Sequence, residues 1–127
     1  MKIIIVGCGK VGCALAEELN EEKHDITVID TNSDKLDRVL SDLDVQGIEG
    51  NGTSYRVQME AGIKDSDLLI AVTGKDEINL LCCLIAKKAG NCNTIARVRN
   101  PEYFDEIKYL REELGLSMAI NPELACA

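Results

Sequence analysis

Three glycines near the start of the chain have the spacing of a phosphate-binding loop. Gly7, Gly9 and Gly12 form the pattern Gly-x-Gly-x-x-Gly in GCGKVG, directly after residues 2–6, which are predicted to form a buried strand. Gly7 would permit a tight turn, Gly9 would let the backbone approach a diphosphate, and Gly12 would let a helix pack closely on the strand. The N–H groups at the start of that helix would then bind phosphate oxygens.

An acidic residue follows at the position where such a site binds a ribose. Asp30 ends the predicted second strand, at the distance from Gly12 that the dinucleotide fingerprint requires. Its carboxylate would accept hydrogen bonds from both hydroxyls of an adenosine ribose, whereas a 2′-phosphate about 4 Å away would be repelled by about 4 kcal/mol before screening. No arginine follows in Thr31, Asn32 and Ser33 to offset that repulsion. The pattern favours NAD or an adenine nucleotide over NADP; the alternative is a flavodoxin-like glycine turn that binds no ligand.

Two more loops are predicted at the same edge of the sheet. The loop GNGT (residues 50–53) follows the third predicted strand, and TGKDE (residues 73–77) follows the fourth. Thr73 and Gly74 are expected to border the nucleotide, because this loop lies at the point where the strand order reverses. GNGT is equally consistent with a simple turn and helix cap.

Basic residues near these loops are candidate phosphate donors. Arg97 and Arg99 stand two apart at the end of the fifth predicted strand, so they are expected to share a face. One of them would reach the phosphates, unless both pair with surface acids. Lys10, inside the glycine loop, would face either phosphate or solvent.

No set of residues predicts catalysis. A dehydrogenase needs a general acid or base near the nicotinamide and a substrate pocket. The single histidine, His24, precedes the second strand on the predicted solvent side, and no Walker-type Gly-x-x-x-x-Gly-Lys-Ser/Thr string occurs. We therefore predict no catalytic residue, and the alternative is a fragment of an NAD-dependent oxidoreductase without its substrate domain.

The cysteines predict neither a metal site nor disulfides. They contain no Cys-x-x-Cys pair, and one histidine gives no zinc-type spacing. Most are expected to be reduced and buried. In an alternative redox-sensing role, Cys8 or Cys13 would need an exposed thiol of low pKa. The six are Cys8, Cys13, Cys82, Cys83, Cys92 and Cys126.

The elements that must position these residues alternate along the chain. Strands are predicted at residues 3–6, 26–30, 45–49, 68–72, 94–98 and 117–120. Helical segments separate these strands, and crossover connections between parallel strands are nearly always right-handed. We therefore predict an α/β fold: a Rossmann-type, doubly wound, parallel six-stranded sheet in three layers, with order 3-2-1-4-5-6.

The helices are predicted from apolar stripes and end signals. The first starts near Lys10 and buries Val11, Leu15 and Leu19. The others are predicted from a cap at Asn32 or Ser33 to Leu43, over residues 54–61 before a left-handed Gly62, from Asp76 and Glu77 to Lys87 and Lys88 before Gly90, and from Pro101 to Gly115.

Length and charge limit the partners. The 127 residues suffice for one domain, and a net charge of −8 opposes binding to nucleic acid or to an anionic membrane surface. The longest apolar run, residues 80–86, is far shorter than the about 20 residues of a membrane span. We expect a soluble domain with no nucleic-acid partner and no direct membrane insertion.

Six segments, in this order and spacing, resemble the N-terminal nucleotide-binding domain (KTN or RCK domain) of the TrkA family: MKIIIVGCGKVG, DITVID, GNGTS, AGIKDSDLLIAVTGKDEINLLCCLIAKK, TIARVRNPEY and AINPE. The resemblance covers nearly the whole chain. It implies a cytoplasmic regulatory subunit of Trk-type potassium uptake that binds NAD or NADH, or in relatives ATP and ADP. It also implies a homo-oligomer, with dimers building a ring at the inner face of the cell membrane, that acts on a membrane potassium channel or transporter subunit.

The resemblance also implies the site and the domain limits. Residues 7–11 would bind the phosphates, Asp30 the ribose and Arg97 the nucleotide, while Thr73 and Gly74 would line the crevice. Gly74 replaces a polar residue of some relatives, so no side-chain contact is expected there. Residues 1–121 would form the domain and residues 122–127 the start of a crossover helix that is cut short. The complete predicted cofactor-binding set is Gly7, Cys8, Gly9, Lys10, Val11, Gly12, Asp30, Thr31, Asn51, Gly52, Thr53, Thr73, Gly74 and Arg97.

Overall fold

The computed structural model describes residues 1–109 and 118–120. Its strands are β1 (Lys2–Val6), β2 (Asp25–Asp30), β3 (Gln46–Glu49), β4 (Leu68–Ala71), β5 (Asn93–Arg97) and β6 (Met118–Ile120). Its helices are α1 (Lys10–Glu21), α2 (Ser33–Asp42), α3 (Tyr55–Glu60), α4 (Asp76–Gly90) and α5 (Glu102–Tyr109), with a 3₁₀ turn at Ile63–Asp65. The predicted helix end at Gly115, Cys126 and the crossover helix at 122–127 lie outside the described residues.

All the strand pairs are parallel, and the sheet order is β3-β2-β1-β4-β5-β6. The predicted α/β class and doubly wound sheet are confirmed. The order reverses between β1 and β4, whose register pairs Ile3 with Leu68 and Val6 with Ala71. The carboxyl ends of these two central strands therefore diverge into loops on opposite sides, which opens a crevice at this edge.

The sheet separates two apolar cores, because successive side chains of a strand point to opposite faces. Ile3 and Ile5 of β1 pack with α1 and α2 on one face, whereas Ile4 and Val6 pack with α3, α4 and α5 on the other. All four are at most 3% exposed. Burial on both faces explains why β1 is continuously apolar rather than alternating.

Side-chain caps and left-handed residues end several elements where the sequence predicts. The Asn32 Oδ1 caps α2 by accepting from the Lys35 N–H at 3.1 Å, and the Ser54 hydroxyl caps α3 by accepting from the Val57 N–H at 3.3 Å. Gly62 has the expected left-handed backbone, with φ 85°. It also begins the 3₁₀ turn, which the sequence analysis does not predict.

The predicted end of α4 before Gly90 is wrong. The helix includes Gly90, and the left-handed residue that closes it is Asn91, with φ 53°. A Cβ at Gly90 would lie 2.3 Å from the carbonyl oxygen of Ile63. The glycine is thus required by close packing of the helix on the 3₁₀ turn rather than by a turn of the backbone.

Strand boundaries differ from the predictions by one residue in several places. β5 covers Asn93–Arg97 rather than 94–98, and the register pairs Leu68 with Asn93 and Ala71 with Ala96. Pairing with the neighbouring strand, rather than apolar character, sets these limits. Over residues 1–109 and 118–120, no helix combines the length and apolar character needed to cross a membrane.

Candidate functional site

A crevice of about 790 Å³ opens at the carboxyl ends of β1 and β4. The loops that follow β1, β2, β3 and β4 and the last residue of β5 form its walls. This is the position at which open α/β sheets bind ligands. The lining residues are Val6, Gly7, Gly9, Lys10, Val11, Ile29, Asp30, Thr31, Lys35, Gly50, Asn51, Gly52, Val72, Thr73, Gly74, Lys75, Ile78 and Arg97.

The glycine loop has the geometry that its spacing predicts. Gly7 has φ 104°, a value that favours glycine, and its N–H donates to the Ile29 carbonyl at 2.8 Å. A Cβ at Gly12 would lie 1.8 Å from the Gly7 carbonyl oxygen, so only glycine lets α1 pack this closely on the loop. A Cβ at Gly9 would meet no atom within 4 Å, because this residue faces the open crevice.

The N-terminus of α1 points its backbone donors at the same space. Gly9 is the N-cap, and no side chain among the described residues caps this end. The first N–H groups of a helix lack intrahelical acceptors and lie at the positive end of its dipole. Together with the open space at Gly9, they form an anion-binding end of the crevice.

Asp30 is held as a carboxylate at the end of β2. Its Oδ2 accepts from the Cys8 N–H at 2.8 Å and from the Cys8 thiol at 3.2 Å, and its Oδ1 accepts from the Asn32 N–H at 2.7 Å. Partial burial opposes ionisation, but these donors, helped by the positive charge of Lys35, hold the pKa of Asp30 below its ordinary value. A negatively charged hydrogen-bond acceptor therefore faces the crevice at neutral pH.

The loop after β3 is fixed mainly by contacts within the protein. The Asn51 Oδ1 accepts from the Thr53 N–H at 3.0 Å and from the Thr53 hydroxyl at 2.7 Å, which is the geometry of an Asx turn. A Cβ at Gly52 would lie 2.4 Å from the Val6 Cγ1. The fully buried Gln58 donates from Nε2 to the Gly52 carbonyl at 2.7 Å and to the Cys82 carbonyl at 3.0 Å, which ties this loop to α4.

The loop after β4 and the last residue of β5 are tied together by a second buried amide. Asn79 of α4 is bonded to both the backbone and the hydroxyl of Thr73 and to the carbonyl of Arg97. The Arg97 side chain lines the crevice, and among residues 1–109 and 118–120 it has one long bond, from Nη1 to the Val72 carbonyl at 3.4 Å. Its buried Nε has no hydrogen-bond partner among these residues. An anion in the crevice would supply the acceptors that this guanidinium lacks.

The crevice is locally cationic although the chain carries a net charge of −8. Lys10, Lys35, Lys75 and Arg97 line it, and Asp30 is the one acid among its described lining residues. Fixed cations at this range act on a bound anion more strongly than acids beyond the screening length of about 8 Å. The arrangement therefore suits a ligand with negative charge and hydroxyl groups.

Eleven of the fourteen predicted residues line the crevice: Gly7, Gly9, Lys10, Val11, Asp30, Thr31, Asn51, Gly52, Thr73, Gly74 and Arg97. Cys8, Gly12 and Thr53 are not among the lining residues. The Cys8 side chain is buried and bonded to Asp30, Gly12 packs on the glycine loop, and Thr53 closes the turn at Asn51.

Two lysines that line the crevice are not among the predicted residues. Lys35 lies in the first turn of α2 and Lys75 is the N-cap of α4. Each lies at the start of a helix that follows a strand ending at this edge. This place in the alternating pattern could have predicted that it lines the crevice. β5 ends at Arg97, so the alternation of a strand does not extend to Arg99 and gives no reason for the two side chains to share a face. Arg99 lines a smaller neighbouring pocket of about 430 Å³, with Asn100 and Tyr103.

Cys8, Cys82, Cys83 and Cys92 do not have the exposed thiol of low pKa that a redox sensor needs. Cys8 is 3% exposed, and burial, together with its hydrogen bond to the Asp30 carboxylate, raises the pKa of its thiol to about 12. Burial also raises the pKa values of Cys82, Cys83 and Cys92. A thiol of raised pKa is a poor nucleophile at neutral pH. Among the described residues, no His, Cys, Asp and Glu side chains are grouped in a way that could hold a metal ion.

Comparison with known proteins places this geometry in a family. The TrkA-N domain family matches residues 3–122. The chain is 43% identical over 127 residues to the Trk system potassium uptake protein TrkA homolog of Archaeoglobus fulgidus. That alignment covers all of this chain but 29% of the relative, so the chain spans less than a third of that protein's length.

Solved structures of similar shape include the TrkA-N domain of the inner membrane protein ybaL from Escherichia coli, with a TM-score of 0.85 and 22% identity over 98% of this chain and 90% of that one. The GsuK channel bound to NAD has a TM-score of 0.80 and 19% identity, over 94% of this chain and 21% of that one. GsuK bound to ADP has a TM-score of 0.76 and 20% identity, over 94% and 31%. These similarities show the fold, and because the family match extends over most of the sequence, the chain belongs to the TrkA-N domain family.

Proposed function

We propose that this chain is the nucleotide-sensing domain of a regulatory subunit of a Trk-type potassium uptake system, and that NAD(H) binds in the crevice. The observation that carries the proposal is a convergence at one edge of the sheet. A helix N-terminus without a side-chain cap, an arginine whose buried Nε has no partner in the described part of the chain, and an ionised carboxylate all line one cavity. A diphosphate joined to a ribose presents the complementary groups.

The proposed pose follows from the position of each group. The N-terminus of α1 and Arg97 bind the diphosphate, and Asp30 binds the adenosine ribose. Three donors of the protein already use most of the roughly four acceptor positions of the Asp30 carboxylate. One ribose hydroxyl therefore binds directly, and a second one binds if the Cys8 thiol turns away from Asp30.

The choice of nucleotide rests on the parts that NAD(H), ATP and ADP have in common. GsuK, which has the same fold, is described as bound to NAD in one structure and to ADP in another. An ATP- or ADP-sensing version of the regulator is therefore the alternative within this proposal. Lys35 beside Asp30 also lowers the cost of a 2′-phosphate, so NADP belongs among the ligands to be compared.

The proposed role is regulation by coupling rather than chemistry on the nucleotide. A ligand that binds two arrangements of an assembly with different affinity shifts the equilibrium between them. Coupling of about 1–3 kcal/mol changes that equilibrium by about 5- to 150-fold. The partners in this proposal are further copies of the subunit and a Trk-type membrane transporter, with the domain at the cytoplasmic face.

The experiment is a calorimetric titration of the chain with NAD, NADH, ATP, ADP and NADP, with thermal unfolding in parallel. A ligand at 100 times its Kd should stabilise the fold by about 2.7 kcal/mol. Arg97→Met should weaken binding about tenfold or more, because it removes a charge-assisted donor. Arg56→Met is the matched control, since Arg56 is 77% exposed and pairs with Glu60 outside the crevice. Absence of binding by all five nucleotides contradicts the proposal, and turnover of the nicotinamide favours an oxidoreductase instead.

A further inference from the structure

Asn79 of α4 is fully buried, and its amide is bonded to its full capacity. The Oδ1 accepts from the Thr73 N–H at 2.8 Å and from the Thr73 hydroxyl at 2.7 Å. The Nδ2 donates to the Thr73 carbonyl at 3.2 Å and to the Arg97 carbonyl at 2.8 Å. Two acceptor positions and two N–H groups are all that this side chain has.

These bonds join two walls of the crevice at the point where the sheet no longer joins them. The last register pair between β4 and β5 is Ala71 with Ala96. Thr73 and Arg97 lie beyond it, and both line the crevice. Asn79 therefore replaces the β4–β5 hydrogen bonds beyond Ala71 and Ala96. It helps to set the distance between Thr73 and Arg97 at the crevice.

The Arg97 guanidinium depends on this backbone for its place. Within the described part of the chain, its side chain has one long bond, from Nη1 to the Val72 carbonyl at 3.4 Å, and its Nε has no partner. A side chain held so weakly follows its own backbone, which pairs with Ile120 of β6 on one side and whose carbonyl accepts from Asn79 on the side of β4. A shift of about 1 Å at such a donor is enough to lose a good hydrogen bond to a ligand.

We propose that Asn79 is a positioning residue that holds Thr73 and Arg97 at the spacing that the anionic part of the ligand requires. The inference rests on the proposed function and deepens it: Asn79 supports recognition of the phosphates and not of the adenosine. Its ligand contacts are indirect, through Arg97 and the Thr73 loop. The ribose end, at Asp30, lies on the other half of the sheet and does not depend on it.

The test compares ADP with adenosine, which differ in the diphosphate alone. In Asn79→Ala, the Kd for ADP should rise about tenfold or more, the size expected for one charge-assisted hydrogen bond, while the Kd for adenosine stays within about twofold. Where the alanine variant does not fold, Asn79→Ser is measured in the same way. Its side chain keeps a polar group but is too short to reach both Thr73 and the Arg97 carbonyl. Hydrogen exchange of the Thr73 amide should accelerate in either variant.

Ser66→Ala is the matched control. Ser66 is 8% exposed, and its hydroxyl donates to the Gly62 carbonyl at 2.8 Å, before β4 begins, so the variant also loses a buried hydrogen bond. It should leave the ratio of the two Kd values unchanged. Equal losses for ADP and adenosine in the Asn79 variants, or an unchanged Thr73 amide, overturn the inference alone. Failure of the unsubstituted chain to bind ADP, NAD or the other nucleotides overturns the proposed function and this inference with it.

Discussion

At the scale of single residues, Asp30 links the acid-base behaviour of the fold to the site. Its pKa in the folded chain lies below the ordinary value near 3.8, so its ionised form stabilises the fold above that pH. As the pH falls through the folded pKa, the carboxylate is protonated and this stabilisation is lost. The free energy of unfolding of the unsubstituted chain should therefore exceed that of Asp30→Asn at pH 7, and the difference should shrink between about pH 5 and pH 3.

Urea unfolding at pH 7, 5 and 3 measures this difference. Asp44→Asn is the control for a general effect of charge, since Asp44 is exposed. A difference between the unsubstituted chain and Asp30→Asn that stays constant over this range would show that the hydrogen bonds from Cys8 and Asn32 do not depend on the charge.

The glycine loop separates stability from binding within four residues. Gly12→Ala places a Cβ 1.8 Å from the Gly7 carbonyl oxygen and should destabilise the fold by several kcal/mol, about 3 or more. Gly9→Ala meets no atom within 4 Å and should leave the stability within about 0.5 kcal/mol. In the proposed pose, its methyl group would occupy the space of the phosphates and weaken the binding of ADP. Thermal unfolding and ADP titration of both variants check this. Unchanged ADP affinity in Gly9→Ala would mean that the phosphates lie elsewhere.

Residue types at known spacings revealed most of this site in advance, and packing decided the rest. The loop with Gly7 and the acid at Asp30 could be predicted because each is required by backbone geometry or by charge at a fixed place in the topology. The absence of Cys8 from the crevice lining could not be predicted, because its thiol could have pointed either to the crevice or to Asp30. Lys35 likewise enters the crevice only through the direction that α2 takes after its cap.

At the scale of the elements, the end of α4 offers a direct test. Asn91 closes the helix with φ 53°, a conformation that costs most non-glycine residues about 1–2 kcal/mol. Asn91→Ala should therefore destabilise the fold by about 1 kcal/mol, whereas Asn91→Gly should be neutral or stabilising. Urea unfolding of both variants measures the effect. Equal stability of the two would mean that the side chain of Asn91, rather than its backbone, closes the helix.

The order and type of the elements followed from periodicity, but their limits did not. Strands that are buried on both faces, such as β1, are recognisable as apolar runs. The order of the sheet was then expected from the doubly wound fold type that the glycine fingerprint indicates. Gly90 looked like a terminator because glycine commonly ends helices, and only its contact with Ile63 shows that it lies inside one. The 3₁₀ turn at Ile63–Asp65 is too short to leave a periodic pattern.

At the scale of the whole molecule, the two halves of the sheet meet at the β1–β4 ladder, directly under the crevice. Asp30 belongs to one half and Arg97 to the other. In the proposed pose, a nucleotide therefore lies across the seam and contacts both sides. Its binding should therefore oppose separation of the two halves of the sheet.

The β1–β4 ladder should also bear load when the chain is stretched. Because residues 2–6 form the central strand β1, a pull applied at the first residue loads the β1–β4 ladder in shear. In single-molecule pulling from the two ends of the chain, saturating ADP should raise the rupture force of this ladder, and Asp30→Ala should abolish the increase. If the chain binds ADP but its rupture force does not change, the ligand contacts one half of the sheet alone. With the ligand across the seam, the domain would transmit tension between its halves when occupied and yield to it when empty.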